Sequence, residues 1–153
     1  LLYKKLSILH FIFYIFLFIG CATKTIPVYS IINTPYIKVS DQGFLKKGFN
    51  YKKLVIYKDA NIPVEISIYK NSICLNKRCY PKDKFVKKLS PDYPKNLLDN
   101  IIEKKPIENL GKITKIKKGF LQKNKRFFYQ IDDKKVLFKD KLKKIIIMIK
   151  ELN

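Results

Sequence analysis

Histidine is nearly missing from this sequence: its 153 residues contain one, His10. There is no tryptophan, and arginine is reduced to Arg78 and Arg126. Five glycines occur, none grouped, so no loop can cradle a nucleotide phosphate. Twelve acidic residues are scattered along the chain without a recognisable glycosidase pair. If the segment holding His10 is removed, no imidazole remains for Ser-His or Cys-His nucleophilic catalysis. The three cysteines, Cys21, Cys74 and Cys79, then lack the further soft ligands that a metal site needs. These absences argue against an enzyme, a metal site and a cofactor, and no residue stands out as catalytic.

Lysine and apolar residues are what the sequence has in quantity. Lys and Arg number 33 against 12 acids, a net charge of +21, while 47% of residues are apolar and 14% aromatic. That is too much apolar material for a disordered basic tail. The apolar residues fall into two populations. Lys4 and Lys5 precede a run from Leu6 to Ile19 broken only by Ser7 and His10, and Gly20-Cys21 closes it. A positive start, a short greasy run and a small residue form the layout of a secretory signal. The run is 14 residues long. That is shorter than the roughly 20 needed to cross a bilayer, so an uncleaved span is the weaker alternative.

Phe18-Ile19-Gly20-Cys21 resembles the lipobox of bacterial lipoproteins, with Phe18 where that family usually has leucine. The resemblance implies that Cys21 carries diacylglycerol, that the chain is cut before Cys21, and that its new amino group is acylated, commonly with palmitate. Residues 1–20 would then be a signal peptide. The mature chain would lose His10 and keep a charge of +19 after losing Lys4 and Lys5. Two or three acyl chains anchor a protein stably where one does not. Ala22 follows the cysteine in place of the aspartate that retains some lipoproteins in the inner membrane. The outer membrane, facing the periplasm, is therefore favoured.

Residues 21–48 read as a tether, rich in Thr, Ser, Asn and Pro, with short apolar bursts that suit a linker or edge strands. Pro27 and Pro35 argue against central strands, and Gly43 and Gly48 suggest loop. A domain over 49–153 follows. Leu54 to Tyr57 is a short apolar run, and Val64, Ile66 and Ile68 alternate with polar neighbours as a half-buried strand does. Ile73 to Leu75 and Cys79-Tyr80 flank a hairpin tip at Asn76-Lys77-Arg78. Phe85, Val86 and Leu89 share a helical face. Leu97, Leu98, Ile101 and Ile102 form a second helical stripe that Pro106 stops. Four runs follow, Ile113 to Leu121, Arg126 to Ile131, Lys135 to Phe138 and Leu142 to Leu152, suggesting an antiparallel meander.

The class expected is α+β: an antiparallel sheet, flat or strongly curved, with a short helical pair inserted mid-chain and an N-terminal signal helix before it. Cys74 and Cys79 would meet an oxidising compartment after export, which favours a disulfide over two free thiols or a redox pair. The basic runs around Lys115 to Lys118, Lys123 to Arg126 and Lys141 to Lys144 lie near Phe120, Phe127, Phe128 and Tyr129, a pattern that can bind single-stranded nucleic acid. Export and the scarcity of arginine count against nucleic acid, and leave anionic lipid or plain solvated surface.

Tyr93-Pro94, Leu97-Leu98, Lys105-Pro106-Ile107, Phe128-Tyr129-Gln130-Ile131 and Ile145 to Leu152 together resemble the outer-membrane lipoprotein-receptor (LolB-like) family. The resemblance spans about the last two thirds of the chain. It implies a curved sheet closed by helices around a cavity that accepts acyl chains. Leu97, Leu98, Ile101 and Ile102 are the candidate lipid-pocket residues. The function expected is therefore a non-enzymatic, membrane-anchored envelope lipoprotein that binds lipid or lipoprotein acyl chains. The alternative is an adaptor lipoprotein that holds an envelope protein partner by a sheet edge or basic face.

Overall fold

The structure is a computed structural model that describes residues 23–58 and 62–152. The expected signal segment 1–20 and the lipidation residue Cys21 lie outside the described residues. Six strands come first: β1 (Lys24–Asn33), β2 (Lys38–Lys47), β3 (Tyr51–Lys58), β4 (Ile62–Tyr69), β5 (Ser72–Leu75) and β6 (Arg78–Pro81). Two helices follow, α1 (Lys82–Leu89) and α2 (Leu97–Glu103). The chain ends in β7 (Ile113–Ile116), β8 (Gly119–Lys123), β9 (Phe127–Ile131), β10 (Lys135–Asp140) and β11 (Ile145–Glu151).

All eleven strands form one open antiparallel sheet in the order β6-β5-β4-β3-β2-β1-β11-β10-β9-β8-β7. Each half is a meander of sequence neighbours. The halves join where the first strand meets the last, from Val28 opposite Glu151 to Asn33 opposite Ile146. This is the expected α+β class, with the antiparallel sheet and the mid-chain helical pair.

Alternation decides which face is buried. Val28 and Ile32 of β1, Leu54 and Ile56 of β3, Tyr129 and Ile131 of β9, and Ile147 and Ile149 of β11 belong to one core. The helices add Phe85, Val86 and Leu89, then Leu97, Ile101 and Ile102. Seven or eight residues are too few to hold a helix by propensity, so each depends on this packing. Ser90 ends α1 in an extended conformation. Lys104 ends α2 in the left-handed region (φ 56°), and Pro106 prevents continuation.

The structure differs from the expected tether. Within 21–48, Lys24–Asn33 and Lys38–Lys47 form β1 and β2 at the middle of the sheet, so the folded unit includes them and is not confined to residues from 49 on. Pro27 is tolerated because the β1–β11 register begins one residue later, at Val28. Its carbonyl still accepts the Leu152 N–H at 2.9 Å. Pro35 lies in the β1–β2 connection, where Thr34 caps the turn through its hydroxyl and the Ile37 N–H (3.0 Å). Gly43 is a strand residue, and a Cβ there would run into the Val55 carbonyl of β3, so glycine permits that close approach.

Of the expected runs, one divides and one is shorter. Ile113 to Leu121 is a hairpin, β7 and β8, turning at Lys117-Lys118 with Gly119 at φ 157°. The last strand begins at Ile145, not Leu142, because Asp140 Oδ1 accepts the N–H groups of Leu142 (2.9 Å) and Lys143 (3.0 Å) and turns the chain. Among the described residues no helix is long and apolar enough to cross a membrane.

Candidate functional site

The helical pair and the sheet enclose an apolar cavity. Ile32 of β1, Leu54 of β3, Ile66 and Ile68 of β4, and Ile147 and Ile149 of β11 form its floor. Phe85 and Leu89 of α1 and Leu98, Ile101 and Ile102 of α2 form its roof. Thr34 is the one polar residue in the wall, and its hydroxyl is occupied by the backbone of Tyr36 and Ile37. Three of the four candidate pocket residues, Leu98, Ile101 and Ile102, therefore line the cavity. Leu97 is fully buried in the same core but does not line it.

The cavity volume is about 40 Å³. An apolar cavity of about 150 Å³ accepts one benzene molecule, so this one has room for a methyl group or two and no more. The strand half of its wall is scattered over β1, β3, β4, β5 (Leu75) and β11, which no local sequence pattern connects. Ile32 and Thr34 fall inside the segment expected to be a tether.

Ion pairs hold α2 over the cavity. Lys52 of β3 reaches Asp99 at 3.1 Å and Glu103 at 2.6 Å. Lys82, at the start of α1, is only 2% exposed and meets the other oxygen of Asp99 at 2.8 Å. Lys47 of β2 donates to the Ile102 carbonyl (3.2 Å) at the C-terminal end of α2. The hydrogen bonds from Lys105 and Lys52 hold the Glu103 carboxyl below its ordinary range. Burial lowers the affinity of Lys52 for its proton, but its bonds to Glu103 and Asp99 outweigh this and raise its pKa. Burial pushes the Lys47 amine down.

A second polar cluster pins the connection between the helices. Asp140 is 1% exposed, and its Oδ2 accepts from Tyr93 Oη (2.7 Å) and from Arg126 Nε (3.0 Å) and Nη2 (2.7 Å). Arg126 also donates to Ser90 Oγ (2.8 Å) and Asp92 (2.7 Å), and its guanidinium lies 4.5 Å from the Phe127 ring centre. Burial first, then the bond to Asp140, pushes the Tyr93 hydroxyl far above its ordinary value. This arrangement has the marks of a brace, with every partner satisfied. Sequence reading grouped Arg126 with the lysines of a basic run; that it is one of two arginines was the available signal.

The cysteines come together as expected. Cys74 and Cys79 sit directly opposite each other in β5 and β6 and form a disulfide. Asn76, at the tip with φ 52°, exchanges two bonds with the Glu65 backbone (2.7 and 2.9 Å), which fixes the hairpin against β4.

Two surfaces outside the cavity stand out. Phe49, at the tip between β2 and β3, is 91% exposed. The edge strand β7 is exposed along its whole length, with Ile113 at 48%. Sequence reading singled out neither. No protein-family model, curated protein or solved structure significantly matches the chain.

Proposed function

We propose that this chain is a non-enzymatic, lipid-anchored protein of the bacterial envelope that takes up acyl chains between its sheet and its helical pair. The observation that carries the reading is the apolar wall beneath α2, built from five strands and both helices and roofed by a seven-residue helix that core packing and side-chain ion pairs hold in place. Lifting this short helix costs its ion pairs and the burial of Leu97, Ile101 and Ile102, and an acyl chain entering beneath it would cover the same apolar surface again. An antiparallel sheet covered on one face by helices also suits the resemblance to outer-membrane lipoprotein receptors, and a curled sheet would complete it. Anchoring is proposed from Phe18-Ile19-Gly20-Cys21, with the outer membrane favoured and the domain facing the periplasm.

The pocket is tested by extracting lipid from the purified protein. Wild-type protein should carry acyl chains, and Ile101→Glu should carry none, because a carboxylate in that wall cannot share the space with hydrocarbon. Retention of normal lipid by Ile101→Glu, with the fold intact by circular dichroism, would contradict the reading. The anchor is tested by intact mass of membrane-extracted protein. Cys21→Ser should remain unprocessed or become soluble, and its persistence in membranes at the mass of the wild type would count against lipidation.

The adaptor reading rests on a separate observation, the exposed edge of β7, whose neighbours Lys112, Lys117 and Lys118 would attract an acidic partner. Lysines on an edge also deter pairing, which makes this the second choice.

A further inference from the structure

The face of α2 turned away from the cavity borders a second space of opposite character. A groove of about 610 Å³ runs between α2 and the ends of β2, β3 and β4. Its wall carries five lysines, Lys47, Lys52, Lys70, Lys82 and Lys105, against two carboxylates, Asp99 and Glu103. The wall is therefore positive even with both carboxylates paired. Lys70 has no ion pair among the described residues. Phe49, Tyr51 and Tyr69 add aromatic rings to the same groove.

Groove and cavity are two sides of one device. Ile68 borders both. Helix α2 is the wall between them, with Leu98, Ile101 and Ile102 toward the cavity and Asp99, Asn100 and Glu103 toward the groove. A chain cannot fit the cavity at its present size, so α2 must yield as the chain enters. The ionic ties that must loosen, besides the apolar packing of α2, run from Lys52 to Asp99 and Glu103 and from Lys82 to Asp99. A phosphate arriving with the chain would offer these lysines a replacement acceptor, so that opening α2 would leave no buried cation without a partner.

We infer that the groove holds the phosphate-bearing, net-anionic headgroup of an amphiphile whose acyl chain occupies the cavity. This rests on the acyl-chain reading above and names its ligand class. Lysines Lys52 and Lys82 exchange carboxylate for phosphate, while Lys70, and Lys105 from its pair with Glu103, supply the remaining positive field.

The test is calorimetric titration of the folded wild type at low ionic strength with three probes. They are dioctanoyl phosphatidylglycerol and dioctanoyl phosphatidylcholine, both below micelle formation, and inorganic phosphate. The anionic lipid should bind about tenfold more tightly than the zwitterionic one. Lys70→Glu combined with Lys105→Gln, both exposed positions, should erase most of that preference while zwitterionic lipid still binds. Equal affinity for the two lipids, or an unchanged preference in the variant, would overturn the inference and leave the acyl-chain reading standing. Inorganic phosphate binding as tightly as the anionic lipid, with Ile101→Glu without effect on the lipid, would reduce the groove to a plain anion site and also overturn it. Failure of either lipid to bind the wild type would defeat the acyl-chain reading itself.

Discussion

Asp140 does two jobs with two oxygens. Its Oδ2 closes the Tyr93–Arg126 cluster, and its Oδ1 takes two backbone N–H groups that turn the chain from β10 toward β11. Burial works against its ionisation, but the bonds from Arg126, the Lys143 N–H and Tyr93 prevail and hold its pKa below the ordinary carboxylate value. A depressed native pKa means that the carboxylate stabilises the fold fully above the unfolded value of about 4. That contribution disappears as pH falls through the native value. Asp140→Asn should therefore lower stability at neutral pH by about 2 kcal/mol, because it removes the charge that Tyr93 and Arg126 share, while Asp92 still holds Arg126. It should also flatten the loss of stability on acidification. Urea unfolding across the acid range measures both, and an unchanged acid limb in the variant would mean that other carboxylates carry it.

At the scale of elements, legibility followed locality. Helix α2 could be read because Leu97, Leu98, Ile101 and Ile102 repeat at helical spacing and Pro106 marks the stop. The β5–β6 hairpin could be read because two short runs flank Asn76. Strands β1 and β2 could not, because the rule that proline avoids central strands does not see that β11 stops pairing before Pro27. The roof of the cavity was thus visible in the sequence, and the floor was not, since strands far apart in the chain build it. The disulfide belongs to this scale too. It closes a loop of about six residues that the turn already closes, so the chain-entropy value of about 2 kcal/mol is an upper bound. Reduction should cost less than that and loosen only β6 and the start of α1. Hydrogen exchange under reducing conditions would locate the loss, and global unfolding on reduction would refute this assignment.

The whole molecule is two meanders sewn together by its first and last strands, with the helical pair carrying the chain from one half to the other. That topology places α1 and α2 across the buried face of the sheet, where they roof a cavity walled by β1, β3, β4, β5 and β11. It also separates charge from grease: the lysines collect in the groove and on the outer surface, and the cavity keeps none. The net charge of +21 was legible as a preference for anionic surroundings, while the gathering of five lysines beside α2 depends on the fold. If this cavity opens to hydrocarbon, binding must respond to the length of the chain that enters it. The most direct measurement is the affinity of the protein for fatty acids of increasing chain length, titrated as monomers. Burial of about 0.8 kcal/mol per methylene predicts that each added carbon tightens binding by up to about fourfold until the cavity is filled. Affinity independent of chain length would mean that no acyl chain enters the cavity.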